Sequence, residues 1–198
     1  MPSTTTQQPL LQPVRLGDLE LPNRIVMAPM TRARADNADL APTELQAVYY
    51  AQRATAGLII SEGTWVSDQA IGFINVPGIY TDVQTVGWAT VTRAVHEAGG
   101  RIISQLGHAG SISHPDHFAG RLPAGPSAVN PGEKCFTPTA GMTDTVTPGA
   151  FTADEIAATI TTAPLRPTPA APVSTASRST PRAPSSSHSS STPALTNA

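Results

Sequence analysis

The sequence predicts an α/β fold in which parallel strands alternate with helices. Short apolar runs, typical of buried strands, alternate along the chain with segments of helical length. Each of three predicted helices opens on a Thr that is followed three residues later by Gln or Glu, the pattern of a capping box. Strand and helix repeated three times in this order is typical of a parallel sheet with crossover helices.

The first elements are a hairpin and a strand. Val14 to Leu21 alternate apolar and polar residues around a Gly-Asp turn, which predicts a small β-hairpin. The apolar run from Ile25 to Met30 predicts a strand buried on both faces. Because Pro29 has no N–H for a sheet ladder, we expect the backbone from Ala28 to Thr31 to face a ligand rather than another strand. An ordinary buried strand and turn is the alternative.

The remaining predicted elements follow in a regular order. They are a helix from Pro42 to Thr55, a strand from Leu58 to Ser61, a helix from Thr81 to Ala98, a strand from Arg101 to Leu106 and a helix from Thr152 to Ile160. The capping boxes pair Thr43 with Gln46, Thr81 with Gln84 and Thr152 with Glu155. The second helix carries an apolar stripe, namely Val83, Val91, Ala94, Val95 and Ala98. A long loop rich in Pro and Gly, residues 108–149, precedes the third helix.

The composition changes abruptly after Ile160. Ser, Thr, Pro and Ala occupy 30 of the 38 residues from Thr161 to Ala198. This composition predicts a disordered low-complexity tail, because it cannot bury enough apolar surface to offset chain entropy. Except for two of the serine codons, every codon for these four residues has C in the middle position. The change in composition also falls inside a predicted helix. A shifted reading frame is therefore a second interpretation of residues 161–198.

Charge and cysteine content narrow the classes of function. With 12 basic and 14 acidic residues and a net charge of −2, the chain has no basic field for nucleic acid. Cys135 is the single cysteine, so no intrachain disulfide can form, and a reducing, cytoplasmic compartment fits best. No apolar run approaches the length of a membrane span, so we expect neither secretion nor membrane insertion. These patterns do not indicate an oligomeric state.

Five segments, in the same order, resemble one known family. They are Leu21 to Arg32, Pro42 to Ala54, Leu58 to Thr64, Pro77 to Tyr80 and Arg101 to Leu106. Together they resemble the N-terminal part of the old yellow enzyme family, the NADH:flavin oxidoreductases or FMN-dependent ene-reductases, which include N-ethylmaleimide reductase. The resemblance implies the N-terminal portion of a (β/α)8 TIM barrel, with about three β/α units after the hairpin. The chain has 198 residues, fewer than the roughly 250 of a complete barrel.

The resemblance also implies a site for FMN at the C-terminal ends of the strands. In the family, the last residues of the first strand and the Thr just beyond them line one side of the flavin, and the Thr hydroxyl is hydrogen-bonded near the C4 carbonyl. A residue just after the second strand lies against the ring, and a Gln at the end of the third strand bonds the pyrimidine edge or the ribityl chain. The matching residues here are Ala28, Pro29, Met30, Thr31, Gly63 and Gln105. For Thr31 and Gln105, the alternative is a cap or a solvent-facing polar residue.

Other features of the family differ from this chain or fall beyond the matching part. Family members commonly have Trp where this chain has Gly107, Arg where it has Ser111 and Tyr where it has Phe73. The paired His/Asn or His/His residues that hold the substrate, the Tyr proton donor and the phosphate site belong to strands that would begin beyond Ile160. No catalytic residue is therefore assigned, and His188 has no strand context that would make it one of that pair.

Two further groups of residues invite a chemical role. His108, His114, His117 and Asp116 lack the helical context and ligand spacing of a zinc site, so we expect ordinary polar loop residues and no metal. Cys135 follows a lysine, yet no catalytic partner can be placed beside it, and we expect a surface or half-buried thiol.

Three functions remain open from the sequence. The resemblance implies an ene-reductase that uses FMN, with NADH or NADPH as hydride donor and an activated alkene or quinone-like molecule as substrate, and a truncated chain that is inactive as given. The alternatives are a non-catalytic scaffold or partner-binding module that retains part of the fold, and a protein whose disordered tail is the functional part. The expected organisation is a disordered N-terminus over residues 1–12, a partial FMN-binding barrel domain over 13–160 and the tail over 161–198.

Overall fold

The computed structural model describes residues 8–162, 174–177 and 194–196. A short 3-10 helix, Pro9–Leu11, precedes the hairpin, and the N–H of Arg24 donates to the Leu10 carbonyl at 2.8 Å. This differs from the disorder expected up to residue 12, whereas residues 1–7 lie outside the described residues. The hairpin forms as predicted, with β1 (Val14–Leu16) antiparallel to β2 (Leu19–Leu21) around Gly17, whose φ is +58°.

The main sheet is built on three parallel strands. β3 (Val26–Met27), β4 (Leu58–Trp65) and β5 (Ile102–Gly107) lie side by side in chain order. The second and third strands are confirmed, and β4 continues four residues beyond the predicted end at Ser61. Parallel strands bring their C-terminal ends to one edge of a sheet, so the residues after β3, β4 and β5 meet there.

The prediction of a first strand buried on both faces is wrong. β3 spans only Val26–Met27, and Ile25 and Val26 are each 45% exposed. Among the described strands, β3 pairs with β4 alone and forms the edge of the sheet. An edge strand lacks the neighbour that would cover its second side, and Pro29 prevents the ladder from continuing.

Two helices cover one face of this sheet. α1 (Glu44–Ala51) and α2 (Asp82–Glu97) begin at Thr43 and Thr81, and both predicted capping boxes are present. Their buried core with the strands consists of Ala47, Tyr50, Ile59, Trp88, Val91, Val95 and Ile102. The predicted stripe on α2 is correct at Val91 and Val95, but Val83 is 52% exposed and Trp88 takes an inward position instead.

The hairpin covers the opposite face of the sheet near the N-terminal ends of β4 and β5. Leu21, Leu58 and Ile103 form a second buried cluster there, with Val14, Leu19 and Ile60 packed against it. We call this face, defined by Ile60 and Ile103, the hairpin side, and the face defined by Ile59 and Ile102 the helix side. Side chains alternate along a strand, so Gln105 and Gly107 lie on the hairpin side with Ile103.

The long loop between β5 and the third helix contains structure of its own. β6 (Ala124–Gly125) pairs in parallel with β9 (Gly149–Ala150), and β7 (Lys134–Thr137) pairs in antiparallel with β8 (Gly141–Asp144). α3 (Ala153–Thr162) begins with the predicted box, since Thr152 and Glu155 exchange hydrogen bonds.

Two short segments of the predicted tail are described as strands. β10 (Ser174–Ser177) runs parallel to β5, and β11 (Ala194–Thr196) runs antiparallel to β10. These strands, and the end of α3 at residues 161–162, differ from the disorder expected over residues 161–198. The other residues after Thr162 lie outside the described residues, so disorder there and the shifted frame stay predictions. Every helix within the described part of the chain is too short or too polar to cross a lipid bilayer.

Candidate functional site

The ends of β4 and β5 are joined in an irregular register. Ile60 pairs with Ile103, but the next pair is Gly63 with Gln105, so β4 contains one extra residue there. This is a β-bulge, and Ser61 stabilises it because its hydroxyl accepts the N–H of Gln105 at 3.1 Å and donates to the Glu62 carbonyl at 2.8 Å. The bulge brings Gly63 beside Gln105 on the hairpin side, as the predicted site requires.

Gly63 leaves open space above the strand. A Cβ at this position would meet one neighbouring atom, Oε1 of Gln105, at 3.8 Å, which is ordinary van der Waals contact. Packing among the described residues therefore does not demand a glycine. A strand residue without a side chain is typical of a place where a ligand approaches the backbone closely.

The segment Ala28 to Thr31 leaves β3 at the same edge. Ala28, Met30 and Thr31 are exposed and Pro29 is partly buried, with Met30 at 44% exposure. Within residues 8–162, the Thr31 hydroxyl and the side-chain amide of Gln105 form no hydrogen bond, and only the backbone N–H of Gln105 is bonded, to Ser61. Both polar groups are therefore available to a ligand. Ala28 to Thr31 lie beyond the end of β3, whereas Gly63 and Gln105 lie within β4 and β5, two residues before the C-terminal end of each strand.

Glu62 is a residue of this edge that the sequence analysis did not identify. Its side chain is 0% exposed, and its Oε2 accepts the backbone N–H of Arg32 at 3.0 Å. The Tyr50 hydroxyl donates to its Oε1 at 3.3 Å and accepts its backbone N–H at 2.8 Å. A carboxylate within the apolar run that forms β4 was the available signal, because a buried charge requires partners.

The pKa values of this pair follow from burial. Burial raises the pKa of Glu62, and hydrogen bonds from the backbone of Arg32, the Tyr50 hydroxyl and the backbone of Ala33 oppose that rise. Burial also raises the pKa of Tyr50, and the nearby carboxylate of Glu62 adds to the effect. Tyr50 therefore keeps its proton and remains a donor to Glu62 near neutral pH.

Two buried polar atoms lie just beyond the Gly63–Gln105 pair. Trp65 pairs with Gly107, and a Cβ on Gly107 would lie 3.5 Å from Cζ3 of the Trp65 indole. Within the described residues, Nε1 of Trp65 and Nε2 of His108 are buried without a hydrogen-bond partner. Unpartnered buried donors are uncommon and costly, by about 1–3 kcal/mol each, unless a water or ligand satisfies them.

The loop histidines have structural partners. His114 Nδ1 accepts the N–H of Asp116 at 3.3 Å, and His117 Nε2 bonds the Phe136 carbonyl at 3.0 Å. Within the described part of the chain, no group of three or more metal-ligating side chains is found. His114, Asp116 and His117 thus stabilise the loop and the β7–β8 hairpin.

The expectation of a surface or half-buried thiol at Cys135 is wrong. Cys135 is only 4% exposed, because alternate residues of β7 point inward. Burial raises the pKa of this thiol, and the negative charges of Asp116 and Asp144 add to the rise. A thiol with a raised pKa is a poor nucleophile, so Cys135 packs as an apolar residue.

The arrangement fits the ring portion of a flavin. A planar ring needs an open strand surface and polar groups along one edge, and the gap above Gly63 and the free amide of Gln105 supply both. The exposed turn from Ala28 to Thr31 adds apolar contact and a hydroxyl at the neighbouring strand end.

Comparison with known proteins identifies the family. Residues 9–162 match the sequence model of the NADH:flavin oxidoreductase / NADH oxidase family. The chain belongs to this family. Flavin oxidoreductase hxnT of Emericella nidulans is 42% identical over 133 residues, which cover 65% of this chain and 34% of that protein. 12-Oxophytodienoate reductase 7 of Oryza sativa subsp. japonica is 49% identical over 109 residues, covering 54% of this chain and 27% of that protein.

Solved structures of the family agree with the fold. Morphinone reductase superposes with a TM-score of 0.74 at 43% identity, covering 81% of this chain and 44% of that one. The old yellow enzyme homologue of Zymomonas mobilis gives a TM-score of 0.73 at 41% identity, covering 78% and 43%. The fold is thus confirmed as the N-terminal portion of a TIM barrel, and the chain spans about a third of the length of the curated relatives it matches.

The family also indicates the cofactors. Its model is that of flavin oxidoreductases, and one matching structure is morphinone reductase in complex with tetrahydroNAD, at 45% identity. FMN and a nicotinamide nucleotide are therefore the cofactors of the family to which this chain belongs.

Proposed function

We propose that this chain supplies the ring-facing half of the FMN site of an NAD(P)H-dependent ene-reductase. The observation that carries the proposal is the meeting of Gly63, Gln105 and the Ala28–Thr31 segment at one edge of the sheet, with space above Gly63 and free polar groups beside it. FMN, when bound, would take hydride from the nicotinamide and deliver it to the β-carbon of an activated alkene or a quinone-like substrate.

Each residue has a separate part in this proposal. Gly63 and the exposed turn at Met30 bind the flavin ring through apolar contact. The Gln105 amide donates to and accepts from the polar edge of the ring, and the Thr31 hydroxyl donates a hydrogen bond that favours electron density on that edge. The substrate class rests on relatives that are named as reductases of 12-oxophytodienoate and of chanoclavine-I aldehyde.

The 198-residue chain is proposed to bind FMN weakly and to be inactive alone. A phosphate is normally held by oriented N–H groups and an arginine, and in barrels of this type these follow the last strands. The reducing compartment inferred from one cysteine makes a cytoplasmic location part of the same proposal, with no role for nucleic acid or membrane.

Two chains compared side by side test the function. The 198-residue protein should purify colourless and show no nicotinamide-dependent reduction of an α,β-unsaturated ketone. A chain continued after Ile160 in the alternative reading frame should be yellow, and Thr31→Ala in it should change the flavin reduction potential. Stoichiometric flavin absorbance or turnover by the 198-residue protein would contradict the proposed inactivity, and a colourless continued chain would contradict the proposed site.

A further inference from the structure

The turn that follows β3 is attached to β4 through the side chain of Glu62. The carboxylate of Glu62 accepts the N–H of Arg32 at 3.0 Å, directly after Thr31 in the chain. The other carboxylate oxygen is held by the Tyr50 hydroxyl of α1 at 3.3 Å. Because Glu62 also directly precedes Gly63, one side chain connects two parts of the candidate flavin site.

The attached turn adopts a backbone conformation that needs support. Ala33 has a φ of +50°, in the left-handed region that a residue with a Cβ adopts at a cost of about 1 kcal/mol. The Arg34 guanidinium donates to the carbonyls of Arg32 and Ala33, both at 3.1 Å, so both sides of these peptide groups are held. Strained conformations persist where surrounding contacts over-determine them, and they cluster at ligand sites.

Arg32 is further held through its side chain. Its guanidinium lies 4.7 Å from the centroid of the Tyr49 ring, against which Arg53 also stacks at 3.8 Å. Tyr49 and Tyr50 are consecutive residues of α1, so that helix holds both the side chain of Arg32 and the carboxylate that binds its backbone. The turn is therefore fixed relative to α1 and β4, although β3 itself is two residues long.

We propose that Glu62 is a positioning residue that holds Thr31 in its flavin-binding place by binding the backbone of the adjacent Arg32. Glu62 touches no ligand in this proposal and acts through the turn. The inference rests on the proposed function, because that function supplies the flavin that Thr31 would bind. It also makes a claim about the chain without flavin, namely that the turn loses its fixed conformation when the carboxylate is removed.

The first measurement is amide hydrogen exchange on the 198-residue chain without flavin. Glu62→Gln keeps the shape of the side chain and removes its charge, which weakens a charge-assisted hydrogen bond. The Arg32 amide should then exchange at least about tenfold faster. Glu44→Gln, the same change at an exposed position in the first turn of α1, should leave the Arg32 amide unchanged.

The second measurement is a double-mutant cycle with lumiflavin, the flavin ring without the ribityl phosphate. Fluorescence titration should show weaker binding by Glu62→Gln, by about tenfold, in the parent chain. In the Thr31→Ala background the same substitution should have a clearly smaller effect, since no Thr31 hydroxyl remains to be positioned. A general loss of structure would instead weaken binding equally in both backgrounds.

The outcomes separate this inference from the proposed function. If the parent chain binds no lumiflavin, the proposed function fails, and exchange alone decides about Glu62. Unchanged exchange at Arg32, or additive effects in the cycle, overturns the positioning role. If Glu62→Gln does not fold, Tyr50→Phe removes the hydroxyl that orients the carboxylate and should accelerate Arg32 exchange a few-fold, while unchanged exchange there overturns the proposal.

Discussion

The two faces of the sheet differ in what their strand residues do. On the helix side, Ile59 and Ile102 are 0% and 4% exposed beneath α1 and α2. On the hairpin side, Ile60 and Ile103 pack beneath the hairpin, and the next paired residues toward the C-terminal ends of the strands are Gly63 and Gln105. The same two strands therefore supply the buried core on one face and the candidate flavin surface on the other. Substitutions on the two faces should separate stability from flavin binding.

The largest effect on stability is expected from Ile59→Ala. This side chain is completely buried between the strands and both helices, so its truncation should lower the free energy of unfolding by about 2–5 kcal/mol. Ile60→Ala is a matched control, because the neighbouring residue is only partly buried on the hairpin side and should cost less. Chemical denaturation measures both variants, and equal losses would show that the two faces do not differ in this way.

Gly63→Val, in contrast to Ile59→Ala, should weaken flavin binding and leave stability nearly unchanged. Its Cβ has room, since the nearest atom would be Oε1 of Gln105 at 3.8 Å, and a β-branched residue suits a strand. The melting temperature should therefore change little, whereas lumiflavin affinity should fall by about tenfold or more because the branched side chain fills the space for the ring. Gly63→Ala should lie between Val and the parent. A variant that binds the ring normally would contradict the predicted contact.

The stability of the folded chain should also depend on pH because of His108, which directly follows β5. Burial lowers the pKa of His108 below its ordinary value of 6.5, and burial likewise lowers that of His117. The unfolded chain then takes up protons first as the pH falls, so the folded state loses stability below about pH 6.5. The melting temperature of the parent should fall between about pH 7.5 and 5.5. His108→Gln should make this decrease in melting temperature smaller. An equal decrease in the variant would show that His108 does not contribute to it.

Local signals predicted much of the framework. The capping boxes gave the correct N-caps of α1 and α2, Thr43 and Thr81, because such a cap depends on residues close together in the chain. Burial was predicted less well, since it depends on neighbours distant in sequence. Val83 has the right spacing for the core of α2 but is 52% exposed, and Ile25 lies next to an edge strand that no second strand covers.

The candidate site likewise contains residues that the sequence predicted and residues that it did not. Thr31 and Gln105 were recognised because they belong to segments that resemble the family and stand at strand ends. Glu62 was not, although it lies in one of those segments, because its role depends on the backbone of Arg32 thirty positions away in sequence. The bulge at Ser61 was equally invisible, since a register shift is a property of two strands together.

The smallest expected effect concerns the turn that joins these two parts. Ala33 has a φ of +50°, where glycine is preferred because it has no Cβ to clash with the following carbonyl. Ala33→Gly should relieve that strain and raise the free energy of unfolding by up to about 1 kcal/mol, less the entropy that glycine adds to the unfolded chain. Ala89→Gly, at a partly buried position within α2, is the matched control and should destabilise by about 1 kcal/mol. If Ala33→Gly destabilises as much as the control, the left-handed conformation at Ala33 is not the state that the folded chain adopts, and Glu62 has no strained turn to hold.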